Sequence, residues 1–206
     1  MKENLLFTSA HSANILFDLR EGFASVADIK DSSKNNLAIS RFGTITVGSD
    51  ADGSYINIPS GNSNYIQFGG SALNGPGIAV EFSMKYMTND VSTGTLLYDT
   101  RPSNTNGSYS FLSVWNNTYL IRLPPTSTNT VGVNTMTVTN PNRFQLRTNA
   151  RIEYLSNKTD CYHEGVLIST TTTVLNHINQ VYKIGYHSFA ETTNTVRLYS
   201  FRIYKL

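Results

Sequence analysis

Cys161, His163 and Glu164 place a thiol, an imidazole and a carboxylate within four residues of the stretch CYHEGVLIST. A cysteine nucleophile needs a base within hydrogen-bond reach and a third group to orient that base. On an extended chain, adjacent side chains point to opposite faces, so Cys161 and His163 share one face and Tyr162 takes the other. Side chains two apart on a strand rarely converge to hydrogen-bonding distance, and Glu164 falls at the following turn, where solvent reaches it. The stretch reads as a hairpin, with Cys161 in the core and His163 a surface group at the strand end. No catalytic residue is assigned.

Carboxylate chemistry offers little more. A glycosidase holds two carboxyl groups about 5 Å apart for retention, or farther apart for inversion. Glu81 in VEFSMKY and Glu153 in RIEYL are isolated in sequence. The segment GSDADGS supplies Asp50 and Asp52 beside Gly53, oxygen ligands of the type that calcium takes. It lacks the spaced acidic series of an EF-hand loop, and a solvated Asp-Gly turn is the plainer reading. No cofactor is expected apart from that calcium option.

Sugar recognition pairs an aromatic surface with polar hydrogen-bonding groups. Trp115, the single tryptophan, borders Asn116 and Asn117, with Tyr119 following; Asp99 and Arg101 open the polar loop YDTRPSNTNGSY. These six residues form the candidate glycan set, set against a Trp115 that merely packs at the end of the core. Arg143, Arg147 and Arg151 recur every four positions and read as solvated surface charges. A net charge of +2 with no dense basic patch gives no footprint for nucleic acid.

The elements that must carry these groups are short strands. VEFSMKY alternates strictly, with Val80, Phe82, Met84 and Tyr86 on one side and Glu81, Ser83 and Lys85 on the other, as in a half-buried strand. YINI, YIQF, GTLLYDT, SYSFLSVW, TYLIRL, TMTVT, RFQLRT, RIEYLS, TDCYH, VLIST, VYKIGYH and TVRLYSFRIYKL continue the series. The dipeptides Asn116-Asn117 and Glu164-Gly165, and the Asp-Gly of DADGSY, suit tight hairpin turns. About a dozen short strands at this spacing imply an all-β, two-sheet antiparallel sandwich. Residues 15–206 form one domain, and residues 1–14 form an arm or an edge strand.

In order, ILFDL, GIAVEFSMKY, CYHEGVLIST, YKIGYH and LYSFRIYKL resemble the strand series of the laminin G-like, or concanavalin A-like, jelly-roll family. The likeness runs from Ile15 to Leu206, with Tyr162, Gly165 and Val166 matching its hairpin and Phe201 to Tyr204 its closing strand. His163-Glu164 stands where the family commonly has Val-Asn, and Ser83 where it often has Trp. Jelly-roll glucanases of this superfamily carry a Glu-x-Asp-x-x-Glu-type run, which this sequence lacks, so the resemblance implies a non-enzymatic member.

Composition suggests a setting. About a third of the 206 residues are Ser, Thr or Asn, and 15% are charged, against 12 Tyr and 10 Phe. The aromatic and aliphatic content argues for order, with neutral polar side chains on the outer strand faces. No secretory signal is legible in MKENLLFTSAHSANILF, and no run approaches the roughly 18 apolar residues of a membrane span. The expected role is a non-enzymatic accessory protein on the surface of a virion, most naturally a bacteriophage, decorating its capsid or tail. Its expected partners are viral structural proteins, further copies of itself in a symmetric particle, and host surface glycans. The alternative is a stand-alone carbohydrate-binding module or lectin, and behind it a polysaccharide-degrading enzyme.

Overall fold

The computed structural model describes residues 14–61, 63–70, 73, 76–87, 95–99, 111–115, 118–123, 132–137, 146–172, 181–186 and 195–206, with the four segments between 95 and 137 described by backbone pairing. Fifteen strands are present among them: β1 (Ile15–Leu19), β2 (Ser40–Phe42), β3 (Thr46–Asp50), β4 (Gly53–Ile58), β5 (Tyr65–Gly69), β6 (Ile78–Tyr86), β7 (Thr95–Asp99), β8 (Phe111–Trp115), β9 (Thr118–Leu123), β10 (Gly132–Thr137), β11 (Thr148–Tyr154), β12 (Thr159–His163), β13 (Val166–Thr171), β14 (Val181–Ile184) and β15 (Val196–Lys205). A 3-10 turn, Val26–Asp28, lies between β1 and β2. Asp28 accepts hydrogen bonds from the backbone N–H groups of Ala24 and Ser25 and so closes that turn.

The strands form two sheets. The first runs β13-β12-β11-β6-β15-β4-β3, with β1 paired to the far end of β15, and the second runs β10-β9-β8-β7-β14-β5-β2. Every pairing is antiparallel. This is the sandwich that the alternating pattern predicts. YINI and YIQF, consecutive in sequence, lie in different sheets, and the PSGNSN loop between them crosses the sandwich.

Aromatic rings join the sheets. Phe17 of the first sheet stacks on Phe68 of the second at 3.6 Å and 6°, and Phe68 lies parallel to Tyr182 at 5.3 Å. Phe201 meets all three edge-on. Around them pack Leu19, Ile56, Ile58, Ile66, Val80, Phe82, Ile152, Ile184, Leu198 and Ile203, all essentially without solvent contact. Filling the space between two sheets with such residues is the main favourable term in a fold of this kind.

Three local expectations change. Strand β6 is buried on both faces along most of its length rather than half-buried: Glu81 and Ser83 are buried as well as Phe82. Long Arg and Tyr side chains from neighbouring strands lie across its outer face. Residues 146 and 147 precede β11 rather than belonging to a separate RFQLRT strand, whose residues 143–145 lie outside the described set. Two short strands, β2 and β3, carry no alternating apolar signal and emerge only in the fold. Of the N-terminal arm, residues 1–13 lie outside the described residues.

Hairpin chemistry follows the sequence closely. Glu164 and Gly165 adopt φ of 48° and 78° between the register partners His163 and Val166, the doubly left-handed geometry of a type I′ turn. Trp115 and Thr118 are partners in the β8–β9 ladder, which brackets Asn116-Asn117 as a two-residue connection. Between β3 and β4 the connecting pair is Ala51-Asp52, one residue earlier than the Asp-Gly dipeptide, and Gly53 takes a φ of 127° as it enters β4.

Candidate functional site: an aromatic platform on the second sheet

Two outer faces carry the chemistry of this molecule, and they differ in character. On the first sheet the face is an ion-pair network. Asp50 accepts from Arg197 Nη1 at 2.8 Å and from the Tyr199 hydroxyl at 2.9 Å, while Lys85 Nζ lies 3.0 Å from Asp52. Burial alone would raise the Asp50 carboxyl, but these donors outweigh it and hold it below the usual value. Arg147 donates to Ser83 Oγ at 2.7 Å and to Glu21, with its guanidinium over the Tyr199 ring. The oxygens proposed for calcium are thus directed at cations and a hydroxyl. Among the described residues no three His, Cys, Asp or Glu side chains gather as a metal-ligand group. Arg147 and Arg151, expected to be free in solvent, are instead bound into this face; Arg151 Nη2 sits 3.1 Å from Glu153.

Glu81 and Glu153, read as isolated, share this face. Arg151 is the register partner of Glu81 and ion-pairs with Glu153. Glu81 is 7% exposed, and burial raises its carboxyl against the opposing pull of Arg202 and Arg151. Arg151 lies over the Tyr162 ring at 4.2 Å, further closing the surface. Both carboxylates are thus engaged by arginines, Glu81 by Arg202 at 3.7 Å and Glu153 by Arg151.

The thiol and the imidazole also lie elsewhere than a surface. Cys161 is fully buried, and burial pushes its thiol up to about 12, which removes the thiolate needed for attack. His163, expected at the surface, is buried beside it on the core face, because its partner Ala150 faces the core. Glu164, expected in solvent, accepts from the Asn149 N–H at 2.8 Å and from Asn149 Nδ2 at 3.1 Å. Its own N–H returns a bond to the Asn149 carbonyl, so the turn is clamped to β11.

The second sheet presents something different. Phe42 of β2 and Tyr65 of β5 are register partners, and their rings stack at 4.3 Å and 14°. Tyr186, just past β14, meets Tyr65 edge-on at 5.1 Å, and Lys183 Nζ sits 4.5 Å above the Tyr186 ring. Phe42 keeps 38% of its surface in solvent. Burial and then the neighbouring Tyr186 raise the Tyr65 hydroxyl, so it stays a neutral donor. Beside this aromatic row, the ladder sets a polar one: Ser40, Gln67, Lys183 and Asp99 are successive register partners across β2, β5, β14 and β7.

Glycine and asparagine build the platform's base. Each aromatic residue adjoins a turn residue: Phe42 precedes Gly43, Tyr65 follows Asn64, and Tyr186 follows Gly185. A methyl group on Gly43 would lie 2.2 Å from Asn64 Oδ1, and one on Gly185 would lie 3.0 Å from the Asn64 carbonyl oxygen. Both glycines have positive φ, 70° and 91°, which other residues rarely adopt. Only bare α-carbons let the three turns approach so closely.

Of the predicted glycan set, the ladder brings Asp99 into the polar row through its partner Lys183. Asp99 pairs with Phe111 at the start of β8, whereas Trp115 ends that strand and Tyr119 pairs with Val114. Asp99 and Trp115 thus stand at opposite ends of one ladder, about 13 Å apart along the strand. Arg101, Asn116 and Asn117 lie outside the described residues. Sequence reading missed Phe42, Tyr65 and Tyr186, because single aromatics beside Gly or Asn look like strand ends.

With this geometry in view, solved structures offer a comparison. The binding domain of Paraclostridial Mosquitocidal Protein 1 superposes with a TM-score of 0.77 at 15% identity, over 94% of this chain and 49% of that one. The botulinum neurotoxin serotype D binding domain gives 0.74 at 10%, over 96% and 49%. The botulinum neurotoxin DC binding domain in complex with SialylT gives 0.75 at 13%, over 95% and 49%. The likeness is one of fold. This chain spans about half the length of each of these binding domains. No protein-family model matches the sequence, and no curated protein matches it. Among the described residues no helix is long and apolar enough to cross a membrane.

Proposed function

We propose that this chain is a non-catalytic recognition module that binds saccharides on the Phe42–Tyr65–Tyr186 platform. The carrying observation is the exposed, parallel stack of Phe42 on Tyr65 beside a polar row. A sugar ring has an apolar C–H face, which gains by covering an aromatic surface, and hydroxyls at its rim that need partners. Gln67, Lys183 and the Tyr65 hydroxyl supply such partners at the edge of the rings. Support also comes from the shared fold of toxin binding domains, one of them solved in complex with SialylT. The buried thiol and the shielded Glu81 favour a binding role over a catalytic one.

The experiment is a glycan array probed with the wild-type chain and with Phe42→Ala and Tyr186→Ala. Saccharide binding by the wild type that both variants lose is the expected result. No binding by the wild type, or undiminished binding by both variants, overturns the reading. The virion setting rests on composition alone, and mass spectrometry of purified particles for this chain is its test.

A further inference from the structure

We infer that Asn64 is the positioning residue of the platform: its side chain locks the turns aiming Phe42 and Tyr65, and its backbone carbonyl meets the turn before Tyr186. The link to saccharide binding rests on the function proposed above; the positioning role does not. Asn64 Oδ1 accepts from the Thr44 N–H at 2.8 Å and so fastens the turn that follows Phe42. Its Nδ2 donates to the Ser60 carbonyl at 2.9 Å, and its own N–H to the Gly61 carbonyl at 3.1 Å, fixing the loop that delivers Tyr65. Its carbonyl oxygen is the surface against which Gly185, the residue before Tyr186, must pack. Three chain segments therefore meet at Asn64, two of them on its side-chain amide and the third on its backbone carbonyl.

Each of these bonds has a definite alternative when the amide is removed. Without Oδ1, the Thr44 N–H turns to water and the Gly43 turn loses its close partner. Without Nδ2, the loop from Ser60 to Asn64 keeps one bond fewer to hold its shape. The stacked rings are sensitive to such loosening, because a gap of about 0.5–1 Å already forfeits a quarter to a half of a contact's dispersion attraction. The inter-sheet stack of Phe17, Phe68 and Tyr182 lies in the core and does not depend on these bonds.

The test is proton NMR of the aromatic region on the wild type, Asn64→Ala and Asn64→Asp. The Phe42 and Tyr65 signals carry a ring-current shift from their stacking, and Phe17 and Phe68 provide an internal control of the same kind. Asn64→Ala is expected to move the Phe42 and Tyr65 signals at least halfway to their unstacked positions, with Phe17 and Phe68 unmoved. Asn64→Asp retains the acceptor for Thr44 and is expected to fall in between. On any saccharide the wild-type chain binds, Asn64→Ala should weaken affinity about tenfold through lost preorganisation. Unmoved Phe42 and Tyr65 signals in Asn64→Ala overturn the inference, and so does a parallel movement of the Phe17 and Phe68 signals in either variant. Shifts as expected, with no saccharide bound by the wild type, uphold the positioning role and sink the proposed function instead.

Discussion

Gly185 packs so tightly on Ile58 that a methyl group on its α-carbon would sit 2.6 Å from Ile58 Cγ2. Ile58 is a core residue of β4 in the first sheet, whereas Gly185 directly follows β14 in the second. The contact therefore pins the platform end of one sheet to the core of the other. Gly185→Ala adds both a forbidden backbone conformation, at φ +91°, and a steric overlap, and should cost about 2–4 kcal/mol. Gly77→Ala is the control: φ is +84°, but nothing lies within 4 Å of the added carbon, so backbone strain alone should cost about 1 kcal/mol. Urea midpoints at unchanged slope give both values. Equal losses in the two variants would show that the Gly185–Ile58 approach is unimportant.

The thiol at Cys161 makes a second prediction, one that bears on catalysis. With no solvent exposure and a thiol raised to about 12, it should resist an alkylating reagent in the native protein at pH 8. Labelling followed by mass spectrometry should proceed only as fast as the chain opens, and should become rapid in urea. Fast native-state labelling would mean that the β11–β12 region opens locally and that the thiol is available for chemistry.

The Glu164–Asn149 clamp tests whether the hairpin turn has a mechanical role. Asn149 is buried, so removing the carboxylate in Glu164→Ala leaves its backbone N–H without its acceptor. A loss of about 1–3 kcal/mol is expected, the usual penalty for such an orphaned donor. Glu164→Gln keeps an acceptor oxygen and should lose less than half of that. Comparable losses for the two substitutions would assign the effect to charge rather than to the hydrogen bond.

The architecture was legible because apolar side chains recur with period two in β5, β6 and β15, and because Asn116-Asn117 and Glu164-Gly165 are turn dipeptides with a physical reason to be so. What the period could not convey was the polar side of those strands. Glu81 looks like a solvent-facing residue in VEFSMKY, but Arg202 and Arg151 reach it from strands distant in sequence, and only the sheet order brings them there. His163 looked exposed because a strand end was equated with a surface. The platform was illegible for a related reason. Phe42 lies on a three-residue strand with no alternation to announce it, and its contact with Tyr65 depends on a register that sequence does not state. The retrievable signal was the repeated placement of an aromatic residue beside Gly or Asn, at Phe42-Gly43, Asn64-Tyr65 and Gly185-Tyr186.

The two classes of carboxylate on the first sheet predict opposite responses to pH. Asp50 is raised by burial but lowered further by Tyr199, Arg197 and Lys85, so its folded value lies below that of the unfolded chain. Its contribution is complete above the unfolded value of about 3.9 and is lost as pH falls through the folded value. Glu81 is the reverse: burial wins over Arg202 and Arg151, and the folded protein binds the proton more tightly than the unfolded chain. Stability from this group is therefore greatest below the unfolded value of about 4.3 and declines as pH rises through the folded value. Asp50→Asn should lower the urea midpoint at pH 7 and flatten the acid limb below about pH 4. Glu81→Gln should raise the midpoint at pH 7, since Arg202 keeps Asp18 and Arg151 keeps Glu153 as partners. Urea titrations from pH 3 to 8 read both effects, and a fall in the pH 7 midpoint of Glu81→Gln would mean that the carboxylate's attraction to the two arginines exceeds the cost of burying it.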